Sequence, residues 1–203
     1  MKTMAERIQP PLFSASKNCC PLGTFVKDLI FINGTMGSGK STVSRALLKI
    51  LPHTAFLDGD WCWTMQPSIV TDETRAMVLD NVRHVLRNFL LCSEFQHVLF
   101  CWVMHQQGIM HSILKQLPLQ NVRVHLFTLD ISPEVLVQRL NKDILAGKRS
   151  PSCVEQSFER LPLYKAMNTV HIDVNSITPE ETARIIVTNV ADPRLTSWNR
   201  GRA

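Results

Sequence analysis

The chain has 203 residues, 45% hydrophobic and 19% charged, with a formal net charge of +5. That length and apolar content suit one α/β domain with a sizeable core, and no apolar run approaches the ~18 residues of a membrane-spanning helix. The charge excess sits at the two ends: residues 1–27 hold four Lys/Arg against one Glu, residues 192–203 hold three Arg against one Asp, and residues 28–191 balance. A basic groove that would track a nucleic-acid backbone is therefore not expected.

Six cysteines (Cys19, Cys20, Cys62, Cys92, Cys101, Cys153) show no paired C-x-x-C spacing. They read as reduced thiols that pack inside a cytoplasmic protein. Residues 1–27 lack the apolar core and small-residue cleavage site of a secretory signal, and with Pro10-Pro11 and Cys19-Cys20-Pro21 they read as a flexible extension. The domain is expected over 28–191, with a basic tail over 192–203.

Leu29 to Ile32 is an apolar run that fits a buried parallel strand. It leads into Gly34-Thr35-Met36-Gly37-Ser38-Gly39-Lys40-Ser41-Thr42, which satisfies G-x-x-x-x-G-K-[ST]. In such a loop glycines turn the backbone so that N–H groups face phosphate oxygens, a lysine (Lys40) reaches the β- and γ-phosphates, and a hydroxyl (Ser41) ligates Mg²⁺. Val43, Ala46, Leu47 and Ile50 then recur at helical spacing, so a helix from Lys40 to about Leu51, stopped by Pro52, places its N-terminus at the same phosphate. The stretch predicts binding of a nucleoside triphosphate.

A short second strand, Thr54 to Leu57, ends at Asp58-Gly59-Asp60. Carboxylates at i and i+2 share a side if the chain stays extended. Two acids beside a phosphate loop suit the roles of holding Mg²⁺ and of deprotonating an attacking hydroxyl, with Asp60 favoured for the second. Alternatively they cap the turn around Gly59. Thr71 and Asp72 can cap a long helix with an apolar stripe of Met77, Val78, Val82, Val85, Leu86 and Phe89.

Val98 to Val103 reads as a third strand, followed by His105 and a helix through Leu117. Trp61, Trp63 and Trp102 fall just after strands two and three, where an aromatic wall for a small acceptor would stand; each also fits the core. His105 is a candidate acceptor contact. Val122 to Leu129 is a fourth strand, and Ser132-Pro133-Glu134 is a helix start. That helix carries Arg139 and runs to about Gly147, before the basic Lys148-Arg149-Ser150-Pro151. Arg139 and Arg149 are candidates for neutralising a transferring phosphoryl group, or else part of a solvated basic face. A further helix is expected to break at Pro162. Val170 to Val174 is a fifth strand, and Thr178-Pro179-Glu180 opens the last helix. The alternation implies a parallel sheet covered on both faces, with ligands at the carboxyl ends of its strands.

The phosphate loop, Ala55-Phe-Leu-Asp-Gly-Asp60, and Leu126 to Leu136 with Arg139 together resemble the small P-loop kinases. These stretches are similar to gluconate kinase and adenylylsulfate kinase, and more loosely to chloramphenicol phosphotransferase and the tunicamycin-resistance proteins. The resemblance implies an α/β three-layer sandwich with five parallel strands in the order 2-3-1-4-5, an ATP–Mg²⁺ donor and a lid over about 139–152. It also implies an acceptor pocket after strands two and three, with Asp60 facing the acceptor hydroxyl.

Trp61-Cys62-Trp63 departs from both named kinases and Trp102-Val-Met-His105 from gluconate kinase, which leaves the acceptor open. The third strand ends without an acid, so a Mg²⁺-supporting carboxylate has to be Asp58 or Asp60. The expected activity is ATP-dependent phosphorylation of a small-molecule hydroxyl by a monomer or homodimer, with no nucleic-acid or membrane partner. Two alternatives are a nucleoside or nucleotide kinase using Arg75, Arg83 or Arg87, and a regulatory NTPase. Against a GTPase switch, Asn141-Lys142-Asp143 sets the acid one place too early for N-K-x-D.

Overall fold

The computed structural model describes residues 26–192. Most of the expected N-terminal extension and nearly all of the C-terminal tail lie outside them. Five strands, β1 (Lys27–Asn33), β2 (Thr54–Asp58), β3 (His97–Cys101), β4 (Val122–Asp130) and β5 (Val170–Asp173), form one sheet in the order β2-β3-β1-β4-β5. Every pairing is parallel. Six helices connect them: α1 (Lys40–Ile50), α2 (Asp72–Leu91), α3 (Gln107–Leu114), α4 (Pro133–Leu145), α5 (Cys153–Lys165) and α6 (Pro179–Ala191).

The central strand shows why the sheet is covered twice. Side chains alternate across a strand, and in β1 both sets are apolar. Leu29 and Phe31 join a core with Val78, Val82 and Leu86 of α2, whereas Ile30 and Ile32 join a core with Val43 and Leu47 of α1 and Ile186 of α6. All four β1 residues are fully buried, each contributing on the order of 2 kcal/mol of apolar transfer. Phe31 meets Phe100 edge-on with ring centroids 4.9 Å apart.

Helix starts follow their capping chemistry. Thr71 and Thr74 form a reciprocal box at α2, Ser132 Oγ accepts from Val135 N–H at α4, and Thr178 with Glu181 closes a box at α6. At α1 the N-cap is Gly39, with φ +100° and no side-chain cap. The first N–H groups of α1 are thus left for something other than the protein's own side chains.

Several boundaries differ from expectation. β3 stops at Cys101, so Trp102 and Val103 lie beyond the sheet, and α3 ends at Leu114. On α2 Met77 is exposed, and Leu90 completes the stripe instead. α5 continues through Pro162 without a break. Pro162 is exposed, so the carbonyl it leaves unbonded can meet water, while buried Ser157 and Tyr164 hold both sides of the helix to the core. Among the described residues no helix is long and apolar enough to cross a membrane.

Candidate active site

At the carboxyl ends of the strands lies an open cleft of about 570 Å³ whose floor is Met36 through Val43. Its glycines are required by geometry. Gly37 has φ +85°, and a Cβ there would sit 2.8 Å from Leu140 Cδ2. Lys40 Nζ donates to the Thr35 carbonyl at 2.9 Å, holding the ammonium over the loop. Burial pulls the pKa of Lys40 down, and Asp60 and Asp58 are among the groups that oppose this.

The two aspartates do not lie along an extended segment. β2 runs to Asp58, and the chain then turns into a 3₁₀ helix, Gly59–Trp63, capped by Asp58 Oδ1 accepting the Asp60 N–H at 3.1 Å. This turn separates the two carboxylates in position. Asp58 is buried, and its Oδ2 accepts from Ser41 Oγ at 2.6 Å. Asp60 reaches the cleft lining. Burial and then the charge of Asp58 raise the Asp60 pKa, while Lys40 and Arg149 pull it back. The turn also explains Gly59: a Cβ there would fall 2.4 Å from Cγ of Trp102.

At the end of β3, beside Ser41, stands Cys101, its Sγ 3.9 Å from Ser41 Oγ. Burial, followed by the Asp58 charge, pushes this thiol up to about 12, so it is neutral. The carboxylate next to Ser41 therefore comes from β2 as Asp58.

The far wall is basic. Arg139, Lys142, Lys148 and Arg149 line the cleft. Arg139 Nη1 donates to the Ser38 carbonyl at 3.1 Å and Nη2 to the Val174 carbonyl at 2.7 Å, tying the phosphate loop to the end of β5. Arg149 Nε pairs with Asp143 Oδ2 at 3.0 Å. Val174, Ile177, Pro179 and Thr182 close the side near α6. These four, and Asp143, were not anticipated as site residues. The signal for the former was available, since they follow the fifth strand.

The aromatic candidates are placed differently. Trp61 is 58% exposed and edge-on to Phe56 at 5.7 Å. Trp63 packs against the α2-side core, and Trp102 is buried under Gly59. His105 is partly buried, its pKa lowered by burial and by Arg160. None of the four lines the cleft. On α2 Arg75 pairs with Asp72 on the surface, Arg87 is exposed, and Arg83 is partly buried.

The sequence profile of a family described as an AAA domain matches residues 30–152, and the chain belongs to that family. Solved structures with the same fold include a gluconokinase from Sinorhizobium meliloti 1021, 22% identical, covering 85% of this chain and 94% of that one, with a TM-score of 0.60. A tunicamycin resistance protein from Deinococcus radiodurans is 18% identical over 81% of this chain and 96% of its own, TM-score 0.60. Shikimate kinase from Acinetobacter baumannii, in complex with shikimate, is 22% identical over 81% and 93%, TM-score 0.56. No curated protein matches the sequence. The fold is that of the small P-loop kinases.

Proposed function

We propose that the chain is an ATP-dependent phosphotransferase that moves the γ-phosphate of Mg-ATP to a hydroxyl of a small molecule. The observation that carries this reading is the convergence of Lys40, Ser41 held by Asp58, a separately presented Asp60, and Arg149 around one cleft. The uncapped α1 N-terminus and the positive-φ glycines form an anion cradle. Ser41 Oγ and Asp58 Oδ2 are hard oxygen donors of the type Mg²⁺ prefers. Ser41 would ligate the ion and Asp58 would support it. When bound, Mg²⁺ neutralises charge on the β- and γ-phosphates.

In this reading Lys40 leaves the Thr35 carbonyl for phosphate oxygens. Asp60, with its proton affinity raised, accepts the hydroxyl proton as the acceptor oxygen bonds to phosphorus and the ADP oxygen leaves. Arg149 neutralises the charge spread over the transferring group from a lid of residues 139–152. Arg139 has two N–H groups committed to backbone carbonyls. It is better suited to walling the nucleotide site, whose lining it shares with Ile177 and Pro179, than to closing over the phosphoryl group.

The test is ADP release from Mg-ATP across a panel of polyols, hydroxy acids, nucleosides and aminoglycosides. One acceptor class should stimulate release, and Asp60→Asn should lower the stimulated rate ~10²-fold or more, the scale of a lost acid–base group. Slow hydrolysis that no acceptor stimulates would reject the kinase reading in favour of a nucleotide-dependent regulator.

A further inference from the structure

Trp102 stands one residue beyond β3, buried and outside the cleft lining. Its backbone is tied to the root of the phosphate loop. The Trp102 N–H donates to the Ile32 carbonyl at 3.3 Å. Two residues further on, Asn33 grips Met104 by both backbone groups. Met104 N–H donates to Asn33 Oδ1 at 2.8 Å, and Asn33 Nδ2 donates to the Met104 carbonyl at 3.0 Å. Asn33 is fully buried, ends β1 and directly precedes Gly34. The indole itself leans on Phe100, with ring centroids 6.3 Å apart.

The pyrrole edge of the indole faces the 3₁₀ turn. A Cβ at Gly59 would fall 2.4 Å from Trp102 Cγ and 2.7 Å from Cδ1, the atom bonded to Nε1. The next residue of the turn is Asp60, and its carboxylate accepts a hydrogen bond from the indole. Lys40 and Arg149 act on that carboxylate through their charge, and among the described residues no ion pair holds it. Phenylalanine would fill this part of the core, as it does at 31 and 100. What tryptophan adds is a donor, and a buried indole N–H takes an acceptor. A charged acceptor makes the stronger bond.

We infer that Trp102 is a positioning residue for phosphoryl transfer: its indole N–H holds the Asp60 carboxylate in place, while its backbone ties that carboxylate's position to the phosphate loop through Ile32 and Asn33. The inference rests on the kinase reading above for what Asp60 does, not for how it is held. A general base has to lie within hydrogen-bond reach of the hydroxyl it deprotonates. A misplacement of ~1 Å can cost ~10² in rate.

Trp102→Phe keeps an aromatic ring beside Gly59 and removes the N–H. With the acceptor that most stimulates ADP release in the panel above, it should lower kcat ~10-fold or more and leave KM within ~3-fold. In an Asp60→Asn background the same substitution should cost no more than ~2-fold, because the group it positions is already disabled. A tryptophan that only fills the core would show its full loss in both backgrounds. The contact is read without any acceptor from the indole N–H resonances of the isotope-labelled chain, that of Trp102 being assigned by its loss in Trp102→Phe. Asp60→Ala should move the Trp102 resonance upfield and speed exchange of its proton with water. That measurement keeps the native tryptophan, so it decides the contact if Trp102→Phe misfolds.

An unmoved Trp102 resonance, an unchanged kcat, a rise in KM alone, or losses that add in the double variant would each overturn the positioning role and leave the kinase standing. ADP release that no acceptor stimulates would reject the kinase reading and the catalytic part of the inference with it, and the resonance would then decide the contact alone.

Discussion

Gly59 shows how a single residue joins packing to chemistry. It sits between the two aspartates, and the space for its side chain is already filled by Trp102. Gly59→Ala should therefore destabilise the fold by about 1–3 kcal/mol through overpacking. Equilibrium urea unfolding measures it, and an unchanged midpoint would show that Trp102 yields without cost. The phosphate loop was legible at this scale because its spacing is local: Gly34 to Ser41 need only each other and the helix that follows. Asp58 and Asp60 were legible as a pair with two roles, Asp60 favoured for the hydroxyl, but the local geometry that sets them apart was not. Their division depends on a 3₁₀ turn that buries one and presents the other. The packing of α5 on the phosphate loop gave no signal, since nothing in the sequence states that Ser157 lies against Thr35.

At the scale of elements, capping chemistry predicted well. Thr71, Ser132-Pro133 and Thr178-Pro179 begin α2, α4 and α6 as their side chains require. Proline was the weaker guide, because Pro162 lies inside α5 where a break was expected. Local propensity there is outweighed by the burial of Ser157 and Tyr164 on either side. Pro162→Ala should then stabilise the chain, by up to ~3 kcal/mol, since a proline in a helix interior costs about that much relative to alanine. Thermal and urea unfolding would show a higher midpoint. A lower one would mean that the proline sets the angle at which α5 meets the phosphate loop.

At the scale of the whole molecule, Asp28, Arg123, His97 and His125 form a cluster at the opposite end of the sheet from the cleft. Asp28 of β1 is 3% exposed and takes two hydrogen bonds from Arg123, Nε at 2.7 Å and Nη2 at 2.9 Å. His125 Nε2 lies 3.0 Å away and His97 Nδ1 3.3 Å. Burial alone would raise this carboxyl, but hydrogen bonds from His125 and Arg123, the nearby His97 ring and the guanidinium charge outweigh it and hold the pKa well below the usual range. A depressed folded-state value means that the unfolded chain binds the proton more readily. The contribution is complete above the unfolded value of about 3.9 and is lost as pH falls towards the folded one. Asp28→Asn should cost ~3 kcal/mol at pH 7, the scale for stranding the partner of a buried ion pair. The gap between variant and wild type should narrow as pH drops below about 4 in urea titrations. A gap independent of pH would rule out the charge as its source.

The sequence by itself determined the alternation of strands and helices, the phosphate loop and the acids after the second strand, because each is written in spacing over a few residues. The strand order 2-3-1-4-5 came from resemblance, and the sheet has it. Only the tertiary structure decided which carboxylate meets Ser41, that Trp61, Trp63 and His105 lie off the cleft while Trp102 sits behind Asp60, and that α5 packs beside the phosphate loop. Those outcomes depend on contacts between residues tens of positions apart. Such contacts are fixed by how layers pack on a parallel sheet, and local spacing carries no record of them.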